Sequence, residues 1–159
     1  MQLSTYIRAG FALILAALAL APAAPAATTL TQSERSLLAA VNGVRANHGL
    51  RPLRVDTTLT RAARSHSTTL IRRDVFTHGA LGTRLARAGA RGPLFGENLA
   101  WGTGSRATAR AIVSGWLRSP SHRANLLRPG WVRIGIGART GTFMGHAGAS
   151  VVTADFAGR

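Results

Sequence analysis

The chain has 159 residues, 20 basic and 5 acidic side chains, a formal net charge of +15 and no cysteine. Every basic residue other than histidine is arginine. These counts exclude disulfides, thiol nucleophiles and a lipid-modified cysteine, and the lack of lysine excludes a phosphate-binding P-loop or a Ser–Lys pair. Such a charge favours polyanions: nucleic acid, anionic lipid headgroups or acidic polymers. The arginines are spread along the chain without interleaved aromatics, so no specific nucleic-acid partner is expected.

The order at the start is that of a secretory leader: Arg8, an apolar run from Ala9 to Leu20 broken only by Gly10, then "APAAPAA". The apolar run is short against the roughly 20 residues that span a bilayer. Cleavage after Ala26 is expected, so 1–26 is a signal peptide and 27–32 a short linker. Residues 33–159 then form one domain, enough for a real core, in a secreted, periplasmic or wall-associated protein without a transmembrane segment.

"TQSE" is a capping box that starts a first helix at Thr31, and Leu37, Leu38, Val41 and Val44 follow at helical spacing up to Gly49. Extended "RPLRV" leads to Asp56, the N-cap of a second helix running to about Arg72, with Leu59, Ala62, Ala63, His66 and Leu70 inside. A looped stretch "DVFTHGALG" and a short helix over Thr83–Ala88 come next. "LFGENLAWG", bracketed by glycines, reads as a loop entering or leaving a short strand. A third substantial helix covers Ala107–Leu117, and Pro120 suits the first position of a further short one. "WVRIGIGA", "GTFMGHAGA" and "SVVTADF" are the β-rich remainder. Helices first and strands last suggest an α+β layered domain with an antiparallel sheet.

Familiar catalytic signatures are missing: HExxH, GxSxG and a DxDxDG calcium loop are all absent. Glu34 and Asp56 have capping roles, which leaves Asp74, Glu97 and Asp155 for other work, and nothing local pairs them for two-carboxylate chemistry. Of the histidines, His48 ends a helix, His146 lies in a glycine-rich turn, and His66 falls on an apolar helix face where a satisfied core group is the ordinary reading. His78 in "VFTHG" and His122 in "SPSH" belong to no apolar stripe.

The motifs "VNGVRANHGLRPLRVDTTLTRAARSHS", "FTHG", "GENLA", a Trp with "SPSHRANLL", "RIGIG" and "VVTADF", in that order, resemble the CAP superfamily of cysteine-rich secretory, antigen 5 and pathogenesis-related 1 proteins, most closely its short bacterial secreted branch. The resemblance covers about Ser33 to Phe156. It implies a three-layer α-β-α sandwich with a central antiparallel sheet and a cleft of two histidines and two glutamates. Here it supplies His78, Glu97 and His122, while Arg118 and Ser119 occupy the stretch where a second glutamate would fall. Glu97 is then expected to orient one or both imidazoles, with His78 and His122 as zinc ligands and Glu97 orienting them or acting as a third. Asn98, Ser119 and Ser121 would support the cleft; equally, Glu97 and Asn98 could only tie a loop to amides or to an arginine. The expected function is a binding module for a lipid or an anionic envelope polymer. A zinc-dependent or Ser–His hydrolase and a charge-driven wall adhesin are the alternatives.

Overall fold

The computed structural model describes residues 29–159. The expected leader lies outside them. Helix α1 (Gln32–Asn47) starts as the sequence implies: Thr31 accepts from the Glu34 amide, and Glu34 accepts from the Thr31 amide at 2.8 Å. A two-residue strand β1 (Arg54–Val55) leads to α2 (Thr57–Arg73), capped by Asp56, whose Oδ1 accepts from the Leu59 amide. Then come α3 (Leu81–Arg87), β2 (Phe95–Gly102), a 3-10 turn over Gly104–Ala107, α4 (Ala109–Arg118), α5 (Pro120–Leu126), β3 (Trp131–Phe143) and β4 (His146–Gly158).

The sheet order is β1-β3-β4-β2, with β2–β4 and β3–β4 antiparallel and the short β1 edge parallel to β3. One face buries Leu37 and Val41 of α1, Ile112, Val113 and Trp116 of α4 and Leu126 of α5 against Ile134, Ile136, Val152, Ala154 and Phe156. The other face carries α2 and α3, through Leu59, Ala62, Leu70 and Leu85. The architecture is the α-β-α sandwich, antiparallel apart from its β1 edge.

The alternation in "RIGIG" decides how closely α2 approaches. Ile134 and Ile136 fill one side, and Gly135 and Gly137 leave the other side bare. A Cβ on Gly135 would lie 2.1 Å from the carbonyl carbon of Leu59, and one on Gly137 would lie 2.3 Å from the Arg64 amide. The α2 backbone therefore rests directly on the sheet. Ser67 completes the seam: its hydroxyl donates to the Gly137 carbonyl and accepts from the Thr153 hydroxyl, both at 2.9 Å.

The stretch 94–102 is a correction: it is not a loop with a short strand but contains an eight-residue edge strand. Helices cover both its faces, which removes the polar–apolar alternation that marks a half-exposed strand. Glu34 has more than a capping role. It is buried, and Arg64 donates to both its oxygens, at 2.8 and 2.5 Å, with Arg139 at 3.4 Å. Burial alone would raise its pKa, but the Arg64 bonds, the Thr31 amide and the Ala138 amide together hold it below the ordinary value.

Candidate functional site

The strand register makes the site. Glu97 of β2 stands opposite Asp155 of β4, and Asp155 stands opposite Gly135 of β3. Residues in one transverse row share a face, so two carboxyls lie side by side under the α2–α3 layer, both buried. No local motif signals that pairing, because the partners meet only through the sheet.

Arg84 of α3 closes the pair. Its Nη1 donates to Asp155 Oδ2 at 2.7 Å, and its Nη2 donates to Asp155 Oδ1 at 3.1 Å and to Glu97 Oε2. The fork on Asp155 is bidentate, the strong geometry for a guanidinium and a carboxylate. His78, from the segment between α2 and α3, places Nδ1 2.7 Å from Glu97 Oε1. Its side chain is 57% exposed against 1% for Glu97. His66 belongs to the same cluster: its Nε2 is 3.1 Å from the Thr77 carbonyl and 3.7 Å from Glu97 Oε2.

One guanidinium cannot neutralise two carboxylates in a dry site. Burial drives Glu97 up to about 8; Arg84 opposes the rise and Asp155 adds to it. Burial raises Asp155 as well, against the hydrogen bonds and charge of Arg84. The bidentate fork makes Asp155 the ionised partner, and Glu97 retains the proton near neutrality. Burial and the Arg84 charge lower His66 to about 4. It is therefore neutral at pH 7, donates to the Thr77 carbonyl, and forms no ion pair with Glu97.

His122 approaches from the other side of β2. The side chains of Glu97 and Asn98 leave opposite faces of β2, and Asn98 Nδ2 donates to the His122 carbonyl at 3.0 Å on the α5 side. Asn125 braces the same strand, donating to the Glu97 carbonyl and to Asn98 Oδ1. The His122 imidazole pairs with Ser119, Nδ1 to Oγ 2.8 Å, not with Glu97. Serine and histidine here are three positions apart, one helical turn, and their side chains meet. Burial and the neighbouring His78 both lower His122. Ser121 is exposed and joins neither group.

Two concavities flank this edge strand. A groove of about 540 Å³ between α2 and α3 is lined by Arg61, Arg73, Arg84, Arg87, His66 and His78. A second, of about 760 Å³, lies toward α4 and is lined by Phe76, Leu99, Trp101, Trp116, Ser119 and His122, with Arg106, Arg110 and Arg118. Of the expected trio, His78 and Glu97 join at the first groove and His122 lines the second, near enough to His78 for its charge to lower the His122 pKa.

Glu97 does not fit the part of a third zinc ligand, because it gives one oxygen to His78 and the other to the Arg84 guanidinium. Among the described residues no group of three or more His, Cys, Asp or Glu side chains is placed to hold a metal ion. Arg84, Asp155 and His66 are the cluster members that sequence reasoning passed over. The available signals were a lone acid in the otherwise apolar "VVTADF" and the scarcity of acids itself, which means each buried one needs a cation.

Comparison with known proteins agrees with this architecture. The chain is 31% identical over 117 residues to the uncharacterized protein YkwD of Bacillus subtilis, covering 70% of this chain and 44% of that protein. An extracellular protein containing an SCP domain from Bacillus anthracis superposes with a TM-score of 0.69 at 27% identity, over 80% of this chain and 40% of the other. An outer surface protein of Borrelia burgdorferi gives 0.64 at 24% identity, over 79% of this chain and 91% of that one, a likeness of fold alone. The chain thus spans less than half the length of the two Bacillus proteins. The cysteine-rich secretory protein family, CAP, matches residues 38–152, from within α1 to the middle of β4 and so across all three layers of the sandwich, and the chain belongs to that family.

Proposed function

We propose that this CAP domain works outside the cell as a binding module, and that the groove beside His78 and Arg84 takes an anionic ligand. The observation that carries the reading is the division of labour in the cluster. Glu97 and Asp155 are held under Arg84, while His78 stays exposed over them and further arginines line the walls. The two carboxyls are withdrawn from the ligand, and the cations are presented to it. An extracellular location is supported by the leader-like first 26 residues and by the Bacillus anthracis relative. No helix among the described residues is long and apolar enough to cross a membrane.

A hydrolase reading rests on Ser119 and His122, and it is the weaker one. The carboxylate that would orient His122 is committed to His78 and Arg84. The larger groove favours a lipid tail as a second reading, because Leu99, Trp101 and Trp116 line it beside three arginines.

The test is a titration at physiological salt with three probes: phosphatidylglycerol vesicles, a poly(glycerol phosphate) oligomer and poly-glutamate. Saturable binding that weakens several-fold in His78→Ala, with no product formed from the bound probe, supports the reading. Absence of saturable binding to all three probes overturns it. Cleavage of a p-nitrophenyl ester that disappears in Ser119→Ala transfers the function to the hydrolase.

A further inference from the structure

Building on the anion-binding reading of the groove, we infer that its ligand is a linear polyol-phosphate chain, aligned along α2. The face of α2 that forms one wall presents Arg61, Ser65, Thr69 and Arg73 in steps of one helical turn. At 1.5 Å per residue the two arginines are about 18 Å apart along the axis, room for several consecutive phosphodiesters. Across the groove, Thr83 and Arg87 of α3 form the second wall.

The charge on this track is uncompensated. All five acidic residues of the chain are occupied within the fold: Glu34 by Arg64 and Arg139, Asp56 by Arg133, Glu97 and Asp155 by Arg84, and Asp74 by the Met144 amide at 2.5 Å. Among the described residues Arg61, Arg73 and Arg87 have no carboxylate partner, and no acidic residue lines the groove. Arg61 gives one N–H to the Ala88 carbonyl at 3.1 Å, which ties the two walls together and leaves its other donors available.

The lining selects among polyanions. It contains no Phe, Tyr or Trp, so it offers no platform on which bases would stack, as single-stranded nucleic acid requires. It does contain hydroxyls between the cations. Thr69 donates to the Ser65 carbonyl and keeps its lone pairs for an incoming hydroxyl, and Ser65 and Thr83 are exposed. Guanidinium forks spaced by hydroxyl acceptors match phosphates spaced by polyol hydroxyls. A polycarboxylate offers the charge without the hydroxyls, and a nucleic acid carries bases that this groove does not engage.

The experiment is a fluorescence titration of the whole chain with a labelled poly(glycerol phosphate) oligomer over a range of salt concentrations. Poly-glutamate and oligo(dT) serve as competitors. Arg73→Gln/Arg87→Gln removes two exposed cations from the track, and Arg106→Gln/Arg110→Gln removes two from the other groove. The first pair is expected to weaken binding about 10-fold or more and to lower the log–log salt slope by about 1.4, at ~0.7 per lost phosphate contact. The control pair should change affinity less than about 3-fold on the same single-strand scale. Ser65→Asp, on the exposed face between the arginines, should abolish binding without touching either. Equal loss in both arginine pairs would show charge adhesion without a track, and tighter competition by poly-glutamate or oligo(dT) would assign the groove to another polymer. The first result defeats the inference and the groove reading together; the second overturns the inference alone. Failure of the wild-type protein to bind this oligomer, with vesicles or poly-glutamate still bound, also defeats the inference alone; failure with every probe defeats both.

Discussion

Replacing Arg84 by Met keeps most of the aliphatic stem and removes the guanidinium that joins Glu97 to Asp155. Three hydrogen bonds are lost, two of them the fork on Asp155, whose side chain is wholly buried. Breaking a buried pair so that one charge is left behind costs about 3–5 kcal/mol, and Arg84 is itself only 17% exposed, so little solvent screening reduces that figure. The cost depends on pH. Both carboxyls are raised in the folded state, so the stability tied to their protons is present below the ordinary carboxylate range and is lost as pH rises through the folded value, about 8 for Glu97. At pH 5 the variant can protonate both groups, and what remains is the loss of hydrogen bonds, about 1–2 kcal/mol. Urea unfolding at pH 5 and pH 8 should therefore show a variant penalty at least twice as large at the higher pH. Adding Asp155→Asn to the variant should recover about half the penalty at pH 8, since it removes the charge left without a partner. Equal penalties at the two pH values, or no recovery in the double variant, would refute the picture of one guanidinium shared by two buried carboxyls.

Gly135→Ala should destabilise the fold by about 3 kcal/mol or more in urea, because the new methyl meets the α2 backbone and not a movable side chain. Gly43→Ala, mid-helix in α1 with open space at its Cβ, should instead stabilise by about 0.5–1 kcal/mol, and a loss there would contradict the helix assignment. The His66 ring should stay neutral from pH 8 down to about 5 in an NMR titration, since its pKa is lowered to about 4; protonation near 6.5 would place it outside the cluster. Glu34 is depressed in the fold, so its contribution is present above its ordinary pKa of 4.5 and is lost as pH falls through its folded value. Glu34→Gln should lower stability at pH 7 and flatten the acid limb of the stability curve, measured by thermal unfolding from pH 7 to 2.5.

The elements read correctly from the sequence are those set by neighbours in the chain. Thr31 with Glu34, Asp56 and Pro120 fix helix starts through contacts within three residues, and the structure shows each cap or first-turn position where the spacing places it. The full length of β2 escapes a sequence reading for an equally physical reason. Gly96 and Gly102 resemble loop punctuation, yet each makes room: a Cβ on Gly96 would lie 2.7 Å from the Trp131 ring, and one on Gly102 would lie 2.8 Å from the Arg106 carbonyl oxygen. Both are demands of packing partners that the local sequence does not show.

Family membership and the layered fold were legible because ordered motifs, caps and the Ile–Gly alternation of β3 are local or collinear. The sequence also marked His78 and Glu97, and the two are in contact. Only the tertiary structure decided that Arg84 and Asp155 share the site, that His66 is part of it, and that His122 pairs with Ser119 beyond the β2 strand. Those relations depend on strand register and on which side of an edge strand each side chain leaves. A one-residue change of register would exchange the faces of Glu97 and Asn98 without changing any local motif.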